Sequence, residues 1–186
     1  MKDKFLALLI MIVISYTKND KVIEYAPFFE FFKQNNIILD TIDKAAAKWE
    51  YGFKFKSLVD QKIKKVGIFL PAVGSFEVRI YDINLNKILL DTTITTTVRL
   101  KEFYINIPEI AIPKNGIFGL TVKADSFIKL KDNRNIDFVF PRTVGSIDIL
   151  SFNEMNCNIN LCNSFPSFNN TQIIAPCVNA YFEVYK

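Results

Sequence analysis

The sequence contains no histidine among its 186 residues. Histidine is the usual general base of enzymes and the most common metal ligand, so its absence excludes Ser-His and Cys-His nucleophile pairs and makes a zinc site a poor interpretation. Glycine is also scarce, with 6 residues, and neither a G-x-S-x-G nucleophile turn nor a glycine-rich phosphate loop occurs. These absences argue against most common classes of enzyme.

Carboxylates are the catalytic residue type that remains available. A glycosidase needs only two of them. The candidates in or beside predicted strands are Glu77, Asp82, Glu102, Glu109 and Asp137. They alternate with apolar strand residues, which is typical of a solvated sheet face rather than a cleft. The sequence therefore predicts a protein that is not an enzyme, with a hydrolase that uses two carboxylates as the alternative.

The charge of the chain indicates no special partner. Its formal net charge is +4, and the lysines are scattered over predicted strand faces and turns rather than gathered in one basic block. This distribution favours solubility, and without a nucleic-acid-binding motif it predicts no nucleic-acid partner. Half of the residues are hydrophobic and 18 are Phe, so we expect a large aromatic core.

Residues 1–15 predict a signal peptide. Two lysines precede the apolar run FLALLIMIVIS, which is short for a permanent membrane span. We expect cleavage between Ser15 and Tyr16, because a small residue then precedes the cut; an uncleaved anchor is the alternative. Residues 16–21 predict a flexible spacer, followed by one domain over residues 22–186. The protein is expected in the periplasm, at the cell surface or outside the cell, with membrane contact only through the signal segment.

Alternating apolar residues indicate strands along most of this domain. The stretch from Trp49 to Phe55 has an aromatic residue at every second position, which puts these rings, Trp49 included, on the core face of a strand. Residues 76–83 and 88–94 flank an Asn-rich turn and predict a β-hairpin. Many short strands with almost no helix between them predict an all-β fold, an antiparallel β-sandwich of the jelly-roll type.

Two segments nearer the N-terminus are less regular. Residues 22–38 are rich in Phe and fit a helical face about as well as a strand, and we favour a strand because aromatic residues pack well on a pleated surface. Residues 41–48, TIDKAAAK, predict a short helical fragment with Thr41 or Asp43 as its cap.

Three stretches within residues 49–123 carry a resemblance to known proteins. They are EYGFKFKSLVDQKIKKVGIFLP, SFEVRIYDINLNKILLDTTI and FYINIPEIAIPKNGIFGLTV. They resemble secreted bacterial β-sandwich domains of unknown function, which are found in Gram-negative surface lipoproteins and are similar in layout to carbohydrate-binding modules. The resemblance implies a jelly-roll fold at the cell envelope. Tyr16 stands where such lipoproteins have their lipid-bearing cysteine, so we expect no thioether-linked lipid.

Residues on the polar faces of the strands are the candidate ligand-binding groups. Tyr81 falls on the face opposite Phe76, Val78 and Ile80, beside Arg79, so we expect an exposed ring that can pack against a sugar. Tyr104 is a further candidate of the same type. The predicted partner is a polysaccharide or an envelope protein.

No cofactor is predicted, and calcium is the alternative. The D-x-N-x-N pattern of residues 82–86 matches the opening of a calcium loop, but the glycine and the bidentate Glu that complete such a loop are missing, which favours a hairpin turn. A second oxygen-rich cluster, DNRNID, contains Asp132, Asn135 and Asp137 and is a weak candidate calcium site.

The cysteines lie in the last quarter of the chain, at positions 157, 162 and 177. An exported protein can oxidise them, and one thiol of the three must then stay outside an intramolecular bond. Cys157 can pair with Cys162, and either can pair with Cys177. We favour Cys162 with Cys177, which would tie the Asn-rich stretch to the last strand.

Together these observations predict an exported, non-enzymatic β-sandwich module that binds a glycan or another partner at the cell envelope. A purely structural or assembly subunit of the envelope is one alternative. An envelope glycoside hydrolase with two carboxylates is the other.

Overall fold

A computed structural model describes residues 22–30, 37–42, 45–134, 136–158 and 162–185. The predicted signal peptide, the cleavage position between Ser15 and Tyr16, and the spacer at 16–21 lie outside these residues. In chain order the elements are β1 (Val22–Tyr25), α1 (Pro27–Glu30), β2 (Ile37–Ile42), β3 (Trp49–Ser57), β4 (Gln61–Ile68), β5 (Gly74–Asp82), β6 (Lys87–Thr96), β7 (Phe103–Ile112), β8 (Ile117–Ala124), β9 (Phe127–Asp132), β10 (Arg142–Val144), β11 (Ile147–Asn156), β12 (Phe168–Asn169) and β13 (Val178–Tyr185). No helix in this part of the chain is long and apolar enough to cross a bilayer.

The strand pairings are nested inside one another. β5 pairs with β6, β4 with β7, β3 with β8, and β1 with β13, all antiparallel. A long hairpin rolled up in this way gives two facing sheets, with the orders β1-β13-β4-β7 and β3-β8-β5-β6. This is the strand order of a jelly roll. The predicted antiparallel β-sandwich is therefore confirmed.

Further strands extend this framework on one side. β11 pairs with β3 and carries β10 and β12 on its other edge, so the second sheet has seven strands among the described residues. We call it the seven-stranded sheet, and the other the four-stranded sheet. β2 and β9 form a separate two-stranded ribbon. Residues 127–177 thus hold most of the chain that is additional to the jelly roll.

The core lies between the two sheets and is aromatic, as predicted. On β3 the side chains of Tyr51, Phe53 and Phe55 are buried, and those of Phe76, Val78 and Ile80 are buried beside them on β5. The opposite sheet contributes the buried residues Ile63, Val66, Ile68 and Phe182. Burial of each such side chain stabilises the fold by about 1.5–3 kcal/mol relative to its exposure to water.

The region before β3 differs from the prediction. Residues 22–25 form a strand, but a one-turn helix follows at Pro27–Glu30. Proline is well suited to the first helical position, because it has no N–H to leave unpaired there. Phe28, which follows it, enters the core with its ring centroid 5.1 Å from that of Phe53 and 5.4 Å from that of Phe55. The turn thus delivers a large aromatic side chain to the sandwich.

The helical fragment predicted at residues 41–48 is wrong in the described part of this segment. Residues 41–42 belong to β2, residues 43–44 lie outside the described residues, and residues 45–48 contain a bend and no helix. β2 pairs with β9 along its whole length, and the Ala45 N–H donates to the carbonyl of Asp125. These backbone partners replace the few hydrogen bonds that a two-turn helix would form, and an isolated helix of that length is unstable by itself.

The hairpin at the β5–β6 turn confirms another prediction. Asn86 has a φ of 48°, in the left-handed region that Asn tolerates. Asp82 accepts a hydrogen bond from the backbone N–H of Leu85 at 2.9 Å. The D-x-N-x-N pattern here forms a turn.

Candidate ligand-binding pockets

Tyr81 and Arg79 are not the exposed platform that the sequence predicts. Tyr81 is only 3% exposed, and its hydroxyl donates to Glu50. The Arg79 side chain is 12% exposed, and its guanidinium donates to the Glu50 carboxylate at 3.2 Å and to the Cys162 carbonyl at 2.6 Å. It also reaches the more exposed carboxylates of Glu77 and Asp91. Both side chains are thus fully engaged within the protein.

Glu50 is the centre of this cluster. It is fully buried on the outer side of β3, where Tyr81 and Thr121 donate to its Oε1 and Arg79 donates to its Oε2. Burial raises the pKa of Glu50, while these hydrogen bonds and the charge of Arg79 lower it. A buried carboxylate with three donors, one of them a cation, is a satisfied structural group.

The physical reason is that a later segment covers the outer face of the sheet. Phe165 packs edge-to-face on Tyr81, with ring centroids 5.6 Å apart. It lies directly over Gly119, where an added Cβ would overlap its ring. The centre of the seven-stranded sheet is therefore buried on both faces. Alternation along β5 alone cannot show this, since it gives the face of a residue but not what covers that face.

Tyr104 lies on the other sheet, so the structure does not bring it together with Arg79 and Tyr81. Its ring crosses Gly67 on the outer face of the four-stranded sheet and meets Tyr181 edge-on, with centroids 4.7 Å apart. Its hydroxyl donates to Glu102 at 3.2 Å. Burial, reinforced by the Glu102 charge, raises the pKa of the Tyr104 phenol. The ring is half-buried, which leaves little of it for a ligand.

The candidate calcium cluster is not assembled in the described residues. Asp132 is occupied by Arg134, whose side chain donates to both carboxylate oxygens at 3.0 and 2.8 Å. These hydrogen bonds lower the pKa of Asp132 to about 2. Asp137 accepts from the Thr171 hydroxyl at 2.9 Å, and Asn135 lies outside the described residues. The described carboxylates therefore have partners other than a shared cation.

The favoured cysteine pairing is wrong. The disulfide joins Cys157 to Cys162, with a Cα–Cα distance of 5.5 Å, and Cys177 is a buried free thiol. Cys177 immediately precedes β13, where the Ile128 N–H donates to its sulfur at 3.3 Å, beneath β9. Burial raises its pKa to about 12. The side chain thus lies inside the core, while Cys162 lies on the outer face with its carbonyl on Arg79.

The disulfide lies beside Glu50. A carboxylate oxygen of Glu50 and the sulfur atoms of Cys157 and Cys162 are within 4.8 Å of one another. Soft metals are bound by thiolates, and the two sulfurs are bonded to each other instead. This group therefore offers no metal site in its oxidised form.

A pocket that the sequence does not predict opens at the N-terminal end of β3. It has a volume of about 180 Å³, with Trp49, Phe127 and Ile173 on its apolar side and Lys129, Glu154 and Asn170 on its polar side. Trp49 packs against the core but stays partly exposed. Tyr51 closes the base, 5.5 Å from Phe127 between ring centroids. We call this the Trp49 pocket.

The polar groups of the Trp49 pocket are held in place by neighbours. The Asn170 amide donates to Glu154 at 3.1 Å, and Asn170 Oδ1 accepts from the N–H groups of Gln172 and Ile173. The Lys129 ammonium lies 5.8 Å from the centroid of the Phe127 ring. Asn170 comes from the Asn-rich stretch and Glu154 from β11, so the pocket needs elements far apart in sequence. The one local signal is that Trp49 is the first residue of its strand.

The sequence matches no known protein-family model. It also has no match among curated proteins. The resemblance to secreted sandwich domains therefore stays a prediction, and a function has to be supported by the shape and chemistry of the pockets.

Proposed function

We propose that this protein is an exported, non-enzymatic module that binds a glycan at the cell envelope through the Trp49 pocket. The observation that carries the proposal is the combination of a partly exposed Trp ring with fixed polar side chains in one concave site. Aromatic rings pack against the C–H faces of a sugar, and carboxylate, amide and ammonium groups bond to its hydroxyls. Sites of this kind are mostly apolar with a few placed polar groups.

Two further observations support export and binding. The Cys157–Cys162 bond is of a kind that persists in oxidising compartments, in agreement with the predicted signal peptide. Glu154 is the one carboxylate among the described residues that line the Trp49 pocket, whereas glycoside hydrolysis uses two across the scissile bond. This favours binding over the hydrolase alternative.

The chain carries its own reporter for the experiment. Trp49 is the one Trp in the sequence, so tryptophan emission reports on this pocket alone. The full chain is titrated with soluble oligosaccharides from a panel of envelope and plant polysaccharides. We expect a saturable change in emission with at least one of them. Flat emission across the panel, with no retention on the matching insoluble polysaccharides, would count against glycan binding.

Two variants separate the pocket from the rest of the surface. Glu154→Ala removes the acceptor at the polar wall and should weaken binding by about tenfold, the usual effect of losing one charge-assisted hydrogen bond. Tyr181→Ala is the control, since this partly exposed ring lies on the four-stranded sheet. Equal losses in both variants would show that the ligand is not in the Trp49 pocket.

The assembly-subunit alternative has an observation of its own. Four exposed apolar residues lie at one end of the sandwich, namely Val73, Val98, Leu100 and Phe103. The loop that carries Leu100 is tied to the segment just after β4 by a hydrogen bond from the Leu100 N–H to the Leu70 carbonyl at 2.8 Å. An exposed apolar surface of this kind suits a protein partner. Self-association or co-purification that is lost in Val98→Asp, with flat Trp49 emission, would favour this function.

A further inference from the structure

A second pocket lies on the outer face of the seven-stranded sheet. It has a volume of about 280 Å³, is open to solvent, and lies between the sheet and residues 164–167. Its polar lining consists of Lys54, Asp82, Asn86, Asn153, Ser164 and Ser167. Trp49 belongs to the inward-facing stripe of β3, whereas Lys54 belongs to the outward-facing set. The two pockets are thus on opposite faces of the sheet.

Asn153 is a buried residue whose side-chain amide nitrogen has no partner in the described part of the chain. The residue is 5% exposed, and its Oδ1 accepts from the Ser151 hydroxyl at 2.6 Å. Its amide nitrogen donates to no described residue. The Asn153 nitrogen is not among the fully enclosed polar atoms that lack a partner, and the residue lines the pocket. A buried amide of this kind favours a ligand with an acceptor atom.

Lys54 lies next to Asn153 on the same face. It is opposite Ser151 on β11, and Asn153 is opposite Gly52, which leaves room between them. The Lys54 ammonium forms no ion pair with any residue in the described part of the chain. Two donors without partners among the described residues, one of them charged, thus line the same side of the pocket. This combination suits a carboxylate.

Asp82 gives the opposite side of the pocket a different character. Its Oδ1 accepts from the Leu85 N–H, and its other oxygen accepts from no described residue. It is available to accept from a hydroxyl group. The side chains of Asn86, Ser164 and Ser167 likewise form no hydrogen bond with described residues. The rings of Tyr81 and Phe165 form the apolar wall.

We propose that this pocket binds a small hydroxylated carboxylate of the hexuronate type. Lys54 and Asn153 hold the carboxylate, and Asp82 accepts from a hydroxyl of the same molecule. A phosphate fits less well, because its second negative charge would meet Asp82 with one ammonium to balance it. A neutral sugar leaves the Lys54 charge unused. The inference does not depend on glycan binding in the Trp49 pocket.

The test compares glucuronate with glucose, a matched pair that differs in the carboxylate. Binding to the full chain at neutral pH is measured by titration calorimetry, with Trp49 emission recorded in parallel. Glucuronate should bind at least about tenfold more tightly than glucose, as expected for a charge-assisted hydrogen bond. Trp49 emission should stay unchanged, because Trp49 does not line this pocket. Equal affinity for the two sugars, or no binding of glucuronate, would overturn the proposal.

Lysine variants on one strand provide the control. Lys54→Met should lower the affinity for glucuronate by about tenfold or more, and Lys54→Gln should do the same if Met disturbs folding. Lys56→Met changes the next outward-facing lysine of β3, which does not line the pocket, and should bind normally. Similar affinities of the Lys54 and Lys56 variants for glucuronate would overturn the assignment. It would also be overturned if glucuronate changed the Trp49 emission and the same change occurred in Lys54→Met.

A further arm identifies the source of the ligand. An oligouronate that binds more tightly than the monomer indicates an acidic polysaccharide, and equal affinity per site indicates a free acid. Both results support the carboxylate site. Failure of glucuronate together with a positive Trp49 titration with another glycan would refute this inference and leave the proposed function in place.

Discussion

The buried pair formed by Arg79 and Glu50 allows a quantitative test of the structure. Arg79→Met keeps an apolar stem of similar length but leaves Glu50 fully buried without the cation 3.2 Å away. Tyr81 and Thr121 still donate to the carboxylate, but both are neutral groups. Removal of one partner of a buried ion pair costs about 3–5 kcal/mol of unfolding free energy. We therefore expect Arg79→Met to be one of the most destabilising single substitutions on this sheet.

Urea unfolding followed by Trp49 emission measures this cost. With a slope of about 2 kcal/mol per molar urea, a loss of about 3 kcal/mol lowers the unfolding midpoint by about 1.5 M. The loss should also depend on pH. Burial raises the pKa of Glu50 above 4.5, and removal of Arg79 raises it further. A carboxyl with a raised folded-state pKa is destabilising when ionised, so the cost is largest at neutral pH and shrinks as the pH falls toward the unfolded-state pKa.

Two further variants make the interpretation specific. Adding Glu50→Gln to Arg79→Met removes the unpaired charge, so the double variant should be more stable at neutral pH than Arg79→Met alone. Arg134→Met is the matched control, since Arg134 pairs with Asp132 at the surface, and its midpoint should be unchanged. A small midpoint shift in Arg79→Met, or a shift that is the same at about pH 5 and pH 7, would refute the assignment of Glu50 as a buried carboxylate.

Three other outcomes follow from the packing. Replacement of Cys157 and Cys162 by Ser should lower the unfolding free energy by about 2 kcal/mol, as expected for a short cross-linked loop, and a reductant should then have no further effect on the melting temperature. Cys177 should resist alkylation at pH 8 in the native protein and react only in denaturant, because its thiol is buried with a pKa of about 12; rapid labelling of the native protein would contradict this. Gly119→Ala should destabilise by about 1–3 kcal/mol through overlap with Phe165, and Phe165→Ala should relieve part of the loss in a double-variant cycle.

The framework of the fold could be predicted because its signals are local. The aromatic alternation along β3 and the Asn-rich turn between β5 and β6 each depend on a few neighbouring residues. When one side of a strand faces the core, its apolar residues recur at every second position, and the sequence shows this directly. Many short strands around one core then predict a sandwich, and the resemblance to secreted sandwich domains adds the expectation of a jelly-roll order.

The ligand-binding residues could not be predicted, because their surroundings come from distant parts of the chain. Tyr81 is on the outward face of β5, as the alternation indicates, but Phe165 covers it more than eighty residues later. Trp49 belongs to the inward stripe, yet it lies at the end of the strand, where the core no longer encloses it fully. The burial of a strand residue depends on the face that its side chain points to and on the segments that cover that face. Only the face follows the period of two in the sequence.

The predictions of the cysteine pairing and of the short helix are wrong for related reasons. Cys177 lies next to the last strand and looks suited to tie a loop to it, but its side chain points into the core beneath Ile128. The segment from Thr41 has good helix propensity, but two turns are marginal by themselves, and its first two residues pair in β2 while the Ala45 N–H bonds to the Asp125 carbonyl. In both cases tertiary contacts decide between options that are locally equivalent.

The last strand, β13, lies between β1 and β4 in the four-stranded sheet. A ribosome or a secretion pore delivers the chain from its N-terminus, so β1 and β4 emerge long before the strand that joins them. Until residues 178–185 follow, both have an unpaired backbone edge that invites association with other chains. The four-stranded sheet therefore cannot close until residues 178–185 have been delivered. Chaperones and proteases that meet the chain before β13 docks therefore encounter an open sheet edge.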